Sequence, residues 1–321
     1  MELISVKKSV FFDEIDRFNQ LPISYNRNID IFLEKQGFKM LFFYLKKNGE
    51  FEGFLPIAKK NNFFFSIPYF SYGLYLINPP NTQIIYGLKT LFKKKFINYY
   101  IRVFSYDSSF SDNYKTSVYL KLQNNIDNQL SFFKSKLRSQ IKKSIKNKLK
   151  IISGSNELVD SFYLIYSKHM HSLGSPSYSK SFFHDFMSSY QNDAVIFLVE
   201  YNKQYIACSL CLINKKNIEV ILASSLREYN YLSSNMFLYW EMIKYSISKD
   251  IVFFSFGRCN FNSTQLKFKK QWSKTQTNIL KLNSNKLYNL KFLKILFSFF
   301  YKKIPLKIAI KFGSIIANRI Y

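Results

Sequence analysis

Lys39-Met-Leu-Phe-Phe-Tyr-Leu-Lys46, then Asn48-Gly49, then Phe51-Glu-Gly-Phe-Leu-Pro-Ile-Ala58 is the stretch that decides the fold. Apolar and aromatic side chains flank an Asn-Gly pair, the strongest short-range hairpin signal, so 39–46 and 51–58 read as paired strands. Phe63 to Ile67 reads as a third strand. The layout recurs downstream: a strand at Val195 to Tyr201, a turn at Asn202 to Gln204, a strand at Tyr205 to Ile213 and a third at Ile218 to Ala223. At a constant offset of 156, Ile57-Ala-Lys-Lys-Asn61 falls on Ile213-Asn-Lys-Lys-Asn217. Three strands and two turns repeated at a domain-sized period imply two similar domains rather than a solenoid.

Outward from the repeats the chain becomes helical. Between them, Asp127 to Lys150 places Leu130, Phe133, Leu137, Ile141, Ile145 and Leu149 at three- and four-residue steps, which predicts one long helix. From Lys134 to Lys150 it carries eight basic residues and no acidic one. A second helix is expected from Asn156 to Leu173, stopped by Gly174, and a third from a cap near Ser233-Ser234-Asn235 to Lys249. The end, from Lys286, reads as basic amphipathic helices interrupted at Pro305. The class is α/β (α+β), with boundaries expected at 1–125, 126–150 (a basic connector), 151–285 and 286–321 (a basic tail).

Composition narrows the function. The 321 residues carry 47 Lys and Arg against 20 Asp and Glu, a net charge of +27, which favours anionic partners: nucleic acid, an anionic membrane face or phosphorylated carriers. An AT-rich coding bias would account for part of the 35 Phe and 24 Tyr. Asp250 is the last acidic residue, and fourteen Lys or Arg follow it. Met1 to Asp16 has no signal-peptide pattern, and Lys294, Lys302, Lys303 and Lys307 break the most apolar run, so a cytoplasmic location is expected. Three Cys and three His lack zinc-site spacing. Cys208 and Cys211 lie in an alternating strand and point to opposite faces, against a redox pair. His169 and His171 diverge on a helix. P-loop, GxGxxG, GxSxG and HExxH patterns are missing.

Ser255-Phe-Gly-Arg-Cys259 followed by Phe268-Lys269 and Trp272 is denser in chemistry. A cation beside a loop at a strand end stabilises developing negative charge or holds a phosphate. Local features alone read as a surface loop and an edge strand with solvated lysines.

These residues take on more weight with others in order: Gly53-Phe-Leu-Pro-Ile57, Ser66-Ile-Pro-Tyr-Phe-Ser-Tyr-Gly73, Leu137-Arg-Ser-Gln-Ile-Lys-Lys143, His171-Ser-Leu-Gly-Ser-Pro-Ser-Tyr178 with Phe182-Phe183, and Ile304-Pro-Leu-Lys-Ile-Ala309 with Gly313, Ile316 and Arg319. Together they resemble the FemAB-like acyltransferases, built from tandem GNAT domains, and within them the subgroup found with exopolysaccharide and PEP-CTERM/exosortase gene sets. Two departures stand out. Ser255 replaces the subgroup's usual Asp before Phe-Gly-Arg, and Leu137 to Lys143 is less arginine-rich than its counterpart.

The resemblance implies two tandem GNAT-like domains with mixed central sheets and acyl or aminoacyl transfer to an amine or hydroxyl of a cell-envelope precursor. It implies Lys269 as oxyanion or phosphate partner, with Arg258 orienting an anionic group in the same cleft of the second domain. Tyr239, Asn235, Arg138 and Tyr178 are candidate substrate-binding residues. A cleft lysine should not pack in the core, so losing Lys269 should leave stability nearly unchanged. No metal or bound cofactor is expected. The acyl donor is aminoacyl-tRNA, acyl-CoA or acyl carrier protein. Arg227 to Asn235, where GNAT acetyltransferases carry a glycine loop for the coenzyme A pyrophosphate, has no Gly, and the basic arm suits tRNA. The tail, through Leu287, Leu290, Leu293, Phe297 and Phe300 with its lysines, suits the inner face of an anionic cytoplasmic membrane. The alternative is a non-catalytic binding or scaffold protein on the same folds.

Overall fold

The computed structural model describes residues 1–18, 21–78, 81–105, 115–284 and 298–319. Contacts divide the chain into two compact units that are discontinuous in sequence. The first comprises Met1–Lys121, Asn214–Asn217 and Phe253–Leu287; the second comprises Leu122–Ile213, Ile218–Val252 and Tyr288–Tyr321. The expected division was continuous, with 151–285 as one domain. Contacts instead group 253–287, which holds Arg258 and Lys269, with the first unit.

In the first unit the strands are β1 (Glu2–Val6), β2 (Lys39–Lys47), β3 (Glu50–Lys60), β4 (Phe63–Phe65), β5 (Tyr75–Leu76), β6 (Asn98–Ser105), β7 (Lys115–Lys121), β12 (Phe253–Asn260) and β13 (Gln276–Asn283). Their order is β1-β2-β3-β4-β6-β13-β7-β12, with β5 on β3. β4 and β6 run parallel and the other pairs antiparallel, so the sheet is mixed. Period two sorts β2: Phe43 and Leu45 join a core cluster with Leu88 and Phe92 of helix α3 (Thr82–Lys95). Phe42 and Tyr44 meet Phe11 of helix α1 (Lys8–Ile15) on the other side. Helix α2 (Ile29–Lys35) adds the buried Phe32 and Leu33.

In the second unit β8 (Lys150–Gly154), β9 (Ala194–Tyr201), β10 (Gln204–Asn214) and β11 (Asn217–Ser225) lie side by side in sequence order, the first three antiparallel. Helix α6 (Val159–Leu173) and helix α8 (Ser234–Ser248) cover opposite faces of β10, because Cys208 Sγ faces Phe162 O and Cys211 Sγ faces Met242 Sδ. The alternation argument against a redox pair therefore holds, and burial pushes the Cys211 thiol up to about 12. Helix α7 (Lys180–Tyr190) buries Phe182, Phe183 and Phe186, and Gly174 closes α6 in the left-handed region.

The basic connector is not one helix. Helix α4 (Ile126–Phe132) stops, and helix α5 (Ser135–Ile145) begins two residues after an extended Phe133. Phe133 is buried, 6.2 Å from Trp240, and Arg138 Nη1 donates to the carbonyls of Ser131 and Phe133. Packing of one aromatic and a cation on the helix-end carbonyls outweigh the local periodicity. Lys150 starts β8 rather than ending a helix.

The duplication holds, with a corrected register. Turn residues with positive φ recur at Asn48 and Asn202, Gly49 and Lys203, Asn61 and Lys215, an offset of 154 (48 to 202, 61 to 215). The β-bulges agree: pairing passes over Glu52 in the first hairpin and Ile206 in the second, again 154 apart (52 to 206). The five-residue match at 156 is out of register by two positions. A slip of two keeps every side chain on its proper face, so the hydrophobic pattern could not expose it.

Candidate functional site

The motif Ser255-Phe-Gly-Arg258 occupies a kink in β12. Ser255 pairs with Tyr119 and Arg258 with Ser117, so two residues of β12 stand against one of β7. This β-bulge re-aims the strand. Gly257 adopts φ +69°, a conformation that a side chain resists. Ser255 Oγ accepts from Gly257 N–H at 3.2 Å and lies 3.4 Å from Ser117 Oγ. The hydroxyl thus satisfies the bulge amide, a task that a carboxylate at 255 could also perform.

Residues Thr264–Trp272 form helix α9, capped by Ser263, whose side chain accepts from Leu266 N–H. The loop and edge strand suggested by local features are replaced by a helix with Leu266, Lys269 and Trp272 on its buried face. Lys269 is only 7% exposed. Its Nζ donates to Gly257 O at 2.8 Å and to Arg258 O at 3.2 Å. The expectation that Lys269 would be a cleft residue with little bearing on stability is therefore corrected, since its ammonium ties down the carbonyls of the bulge.

Arg258 is half-buried, and its Nη1 donates to Phe70 O at 2.8 Å. Phe70 belongs to the motif 66–73, which leaves the sheet after β4. Ile67 and Tyr69 have φ of 34° and 72°, uncommon for any side chain and an outlier for a β-branched one. The segment is pinned from several directions. Arg102, 2% exposed on β6, donates to the carbonyls of Ser66 (2.8 Å) and Ile67, and its own amide donates to Ser66 Oγ at 2.7 Å. Tyr25 Oη donates to Gly73 O at 2.6 Å and accepts from Tyr75 N–H at 2.9 Å. Tyr72 Oη bonds Thr277 Oγ1 at 3.2 Å and also Tyr119 Oη. Cations and phenols thus hold a strained loop beside a bulged strand, within one unit.

The remaining candidates lie in the second unit. Arg138 serves the α4 carbonyls. Tyr178 stacks on Phe182 at 4.4 Å, its amide donates to Tyr166 Oη, and its carbonyl accepts from Tyr163 Oη. Tyr239 is 6% exposed on α8 and Asn235 is exposed in its first turn, next to Ser233 at φ 54°. Residues Arg227–Leu232, where a glycine loop was expected to be missing, form a short 3-10 helix. His169, on the same helix as His171, has its own backbone partner. Its Nδ1 is 2.9 Å from Ser225 O at the end of β11, and burial holds its imidazole below the ordinary range. Donation to that carbonyl places the proton on Nδ1.

Arg102 carries a signal in the sequence that local pattern reading does not use: one charge between Ile101 and Val103 in an apolar strand. Among the described residues no group of three or more His, Cys, Asp or Glu is placed to hold a metal ion.

Residues 131–270 match the model of the acetyltransferase (GNAT) domain. No curated protein matches the sequence. Among solved structures, FemX is 12% identical with a TM-score of 0.62, covering 92% of this chain and 100% of its own. The C-terminal domain of a putative lysylphosphatidylglycerol synthetase from Agrobacterium fabrum is 9% identical (TM-score 0.54; 90% and 96% covered). A tandem GNAT protein from the clavulanic acid biosynthesis pathway is 7% identical (TM-score 0.53; 87% and 97%). The resemblance to the FemAB-like proteins holds at the level of the fold: residues 131–270 match the acetyltransferase (GNAT) domain, and the chain shares its fold with FemX and with a tandem GNAT protein.

Proposed function

We propose that the protein transfers an acyl or aminoacyl group to an amine or hydroxyl of a cell-envelope precursor at the cytoplasmic membrane. The observation that carries this reading is the acetyltransferase (GNAT) match at 131–270 on a chain that spans FemX end to end. A neighbour named as a lysylphosphatidylglycerol synthetase supports the envelope side, and a tandem GNAT neighbour from a biosynthetic pathway supports the use of both repeats in one chain. The acceptor nitrogen or oxygen attacks the donor's carbonyl carbon. A C–N or C–O bond forms, the ester or thioester bond to the carrier breaks, and the acceptor's proton leaves with the carrier or through a base. Arg258 orients an anionic part of donor or acceptor, and a planar bidentate fork suits phosphate better than a point charge. Lys269 acts through the bulge that carries Arg258, as a positioning residue.

Of the candidate donors, aminoacyl-tRNA fits best. The stretch 227–235 has no glycine with which to wrap a pyrophosphate, and the net charge is +27. Acyl-CoA and acyl carrier protein are the other arms of the test. Mass spectrometry of envelope precursors from a deletion strain should lack one acyl or aminoacyl increment. Purified protein should restore it with aminoacyl-tRNA and fail with acetyl-CoA. An unchanged precursor pool would favour the non-catalytic scaffold. Arg258→Lys should lose most transfer while staying folded, and full activity in that variant would remove Arg258 from the site.

A further inference from the structure

Helix α10 (Leu306–Arg319) has two unlike faces. The inward face is small: Ala309 is 0% and Ala317 4% exposed, and Gly313 between them is buried. This side lets the backbone approach closely. Tyr301 Oη donates to Ala309 O at 2.6 Å, and a β-carbon on Gly313 would lie 2.3 Å from Tyr301 Oη and 3.0 Å from Ser177 N. His171 Nε2 lies 2.8 Å from Ile304 O, which ties the turn before α10 to α6.

The outward face is large and apolar. Ile308, Phe312 and Ile315, spaced four and three apart, are 47%, 56% and 50% exposed, and Phe299 and Phe300 before the helix are 57% and 61% exposed. The small residues of α10 thus face inward, and the bulky ones face out. Exposed Lys302, Lys303, Lys307 and Lys311 accompany this surface. No acidic residue follows Asp250 to oppose them. Leu287, Leu290, Leu293 and Phe297, also expected on the greasy side, and Lys291 and Lys294 lie outside the described residues.

We propose that this face docks on an anionic lipid bilayer, with Ile308, Phe312, Ile315, Phe299 and Phe300 in the headgroup–acyl boundary and the four lysines on acidic headgroups. Among the described residues no helix is long and apolar enough to cross a membrane, so the helix lies in the interface plane. Lysines attract the acidic leaflet, and their stems let the ammonium groups stay in water while the apolar side chains sink. A protein partner would bury the same lysines and need an acidic counter-surface on each; a lipid leaflet supplies fluid negative charge and an apolar layer together. The inference goes beyond the transfer reaction and does not rest on it.

The test uses the full chain and sedimentation with vesicles of phosphatidylcholine alone or with part replaced by phosphatidylglycerol. The wild type should sediment only with the phosphatidylglycerol vesicles and be released by high salt. Ile308→Ser/Phe312→Ser/Ile315→Ser should weaken the partition by roughly tenfold or more, with circular dichroism and melting temperature unchanged. Lys302→Gln/Lys303→Gln/Lys307→Gln/Lys311→Gln should remove the salt-sensitive part to a similar extent, roughly tenfold or more. Equal sedimentation of the folded triple-Ser variant would overturn the proposal. So would a dimer seen by light scattering that the same variant turns into a monomer, since the face would then bind a second copy of this chain.

Discussion

The two β-meanders share turns, bulges and register at an offset of 154 (48 to 202), yet they end differently. In the second, the third strand β11 runs nine residues without interruption. In the first, β4 stops after three residues, and the chain enters the strained segment that starts at Ser66. An identical start with a different finish means that local signals set the hairpin and something distant sets the third strand. That something is the set of side chains waiting for the diverted backbone: Arg102, Tyr25 and Arg258. Each donates to a carbonyl of the segment that leaves the sheet, where a continued strand would have used the ladder.

The largest effect should come from removing the main anchor. Arg102→Met leaves at least two buried carbonyls without their donor, so unfolding free energy should drop by about 3 kcal/mol in denaturant titration. Equal stability would mean that the segment holds itself.

The equivalent positions Gly53 and Ala207 sharpen the contrast. A β-carbon at Gly53 would lie 2.2 Å from Tyr75 O, because β5 crowds β3 there, whereas the second copy carries Ala207 at the matching place. Gly53→Ala should cost about 2 kcal/mol, within the range of overpacking. Ala207→Gly should cost only about 1 kcal/mol, the strand penalty of glycine. Similar costs would deny that the two copies differ at this point.

Lys269→Ala should lower stability by about 2 kcal/mol, since the Gly257 and Arg258 carbonyls lose a buried donor. Transfer activity should fall with it, and Lys269→Arg should rescue stability better than activity because the bulge would be re-aimed. A fully stable Lys269→Ala protein would return Lys269 to the role of an ordinary cleft side chain.

The smallest effect concerns the hairpin turn. Lys203 holds φ +62° where the first copy has Gly49 at +84°. Lys203→Gly should stabilise by about 0.5 kcal/mol, by relieving a left-handed conformation that non-glycine residues disfavour. A loss of stability would mean that the Lys203 side chain contributes contacts of its own.

Short-range physics made part of this protein legible in its sequence. Asn-Gly and Asn-Lys turns, alternating strands and Gly174 at a helix end involve residues within a few positions of each other. A one-dimensional pattern carries that information fully. The basic charge and the acid-free end are likewise composition. The order of the site motifs pointed to the tandem architecture without placing any atom.

Tertiary structure decided what lies far apart along the chain. Arg258 reaches Phe70 across 188 residues, and Tyr72 reaches Thr277 across 205. No window of sequence states that a lysine with an ordinary solvated pattern will turn inward to hold a bulge, as Lys269 does. The connector broke at Phe133 because Trp240 and Arg138 were available to pack and cap it, again through contacts that periodicity does not encode. Helix α10 carries two unlike faces, and packing chose which one points inward. Ala309, Gly313 and Ala317 let the helix backbone come close to Tyr301, and the bulky face was left to solvent. Local preference is worth tenths of a kcal/mol per residue, whereas a buried cation on two carbonyls or a close helix contact is worth about 1 kcal/mol or more, so the distant contact wins where the two disagree.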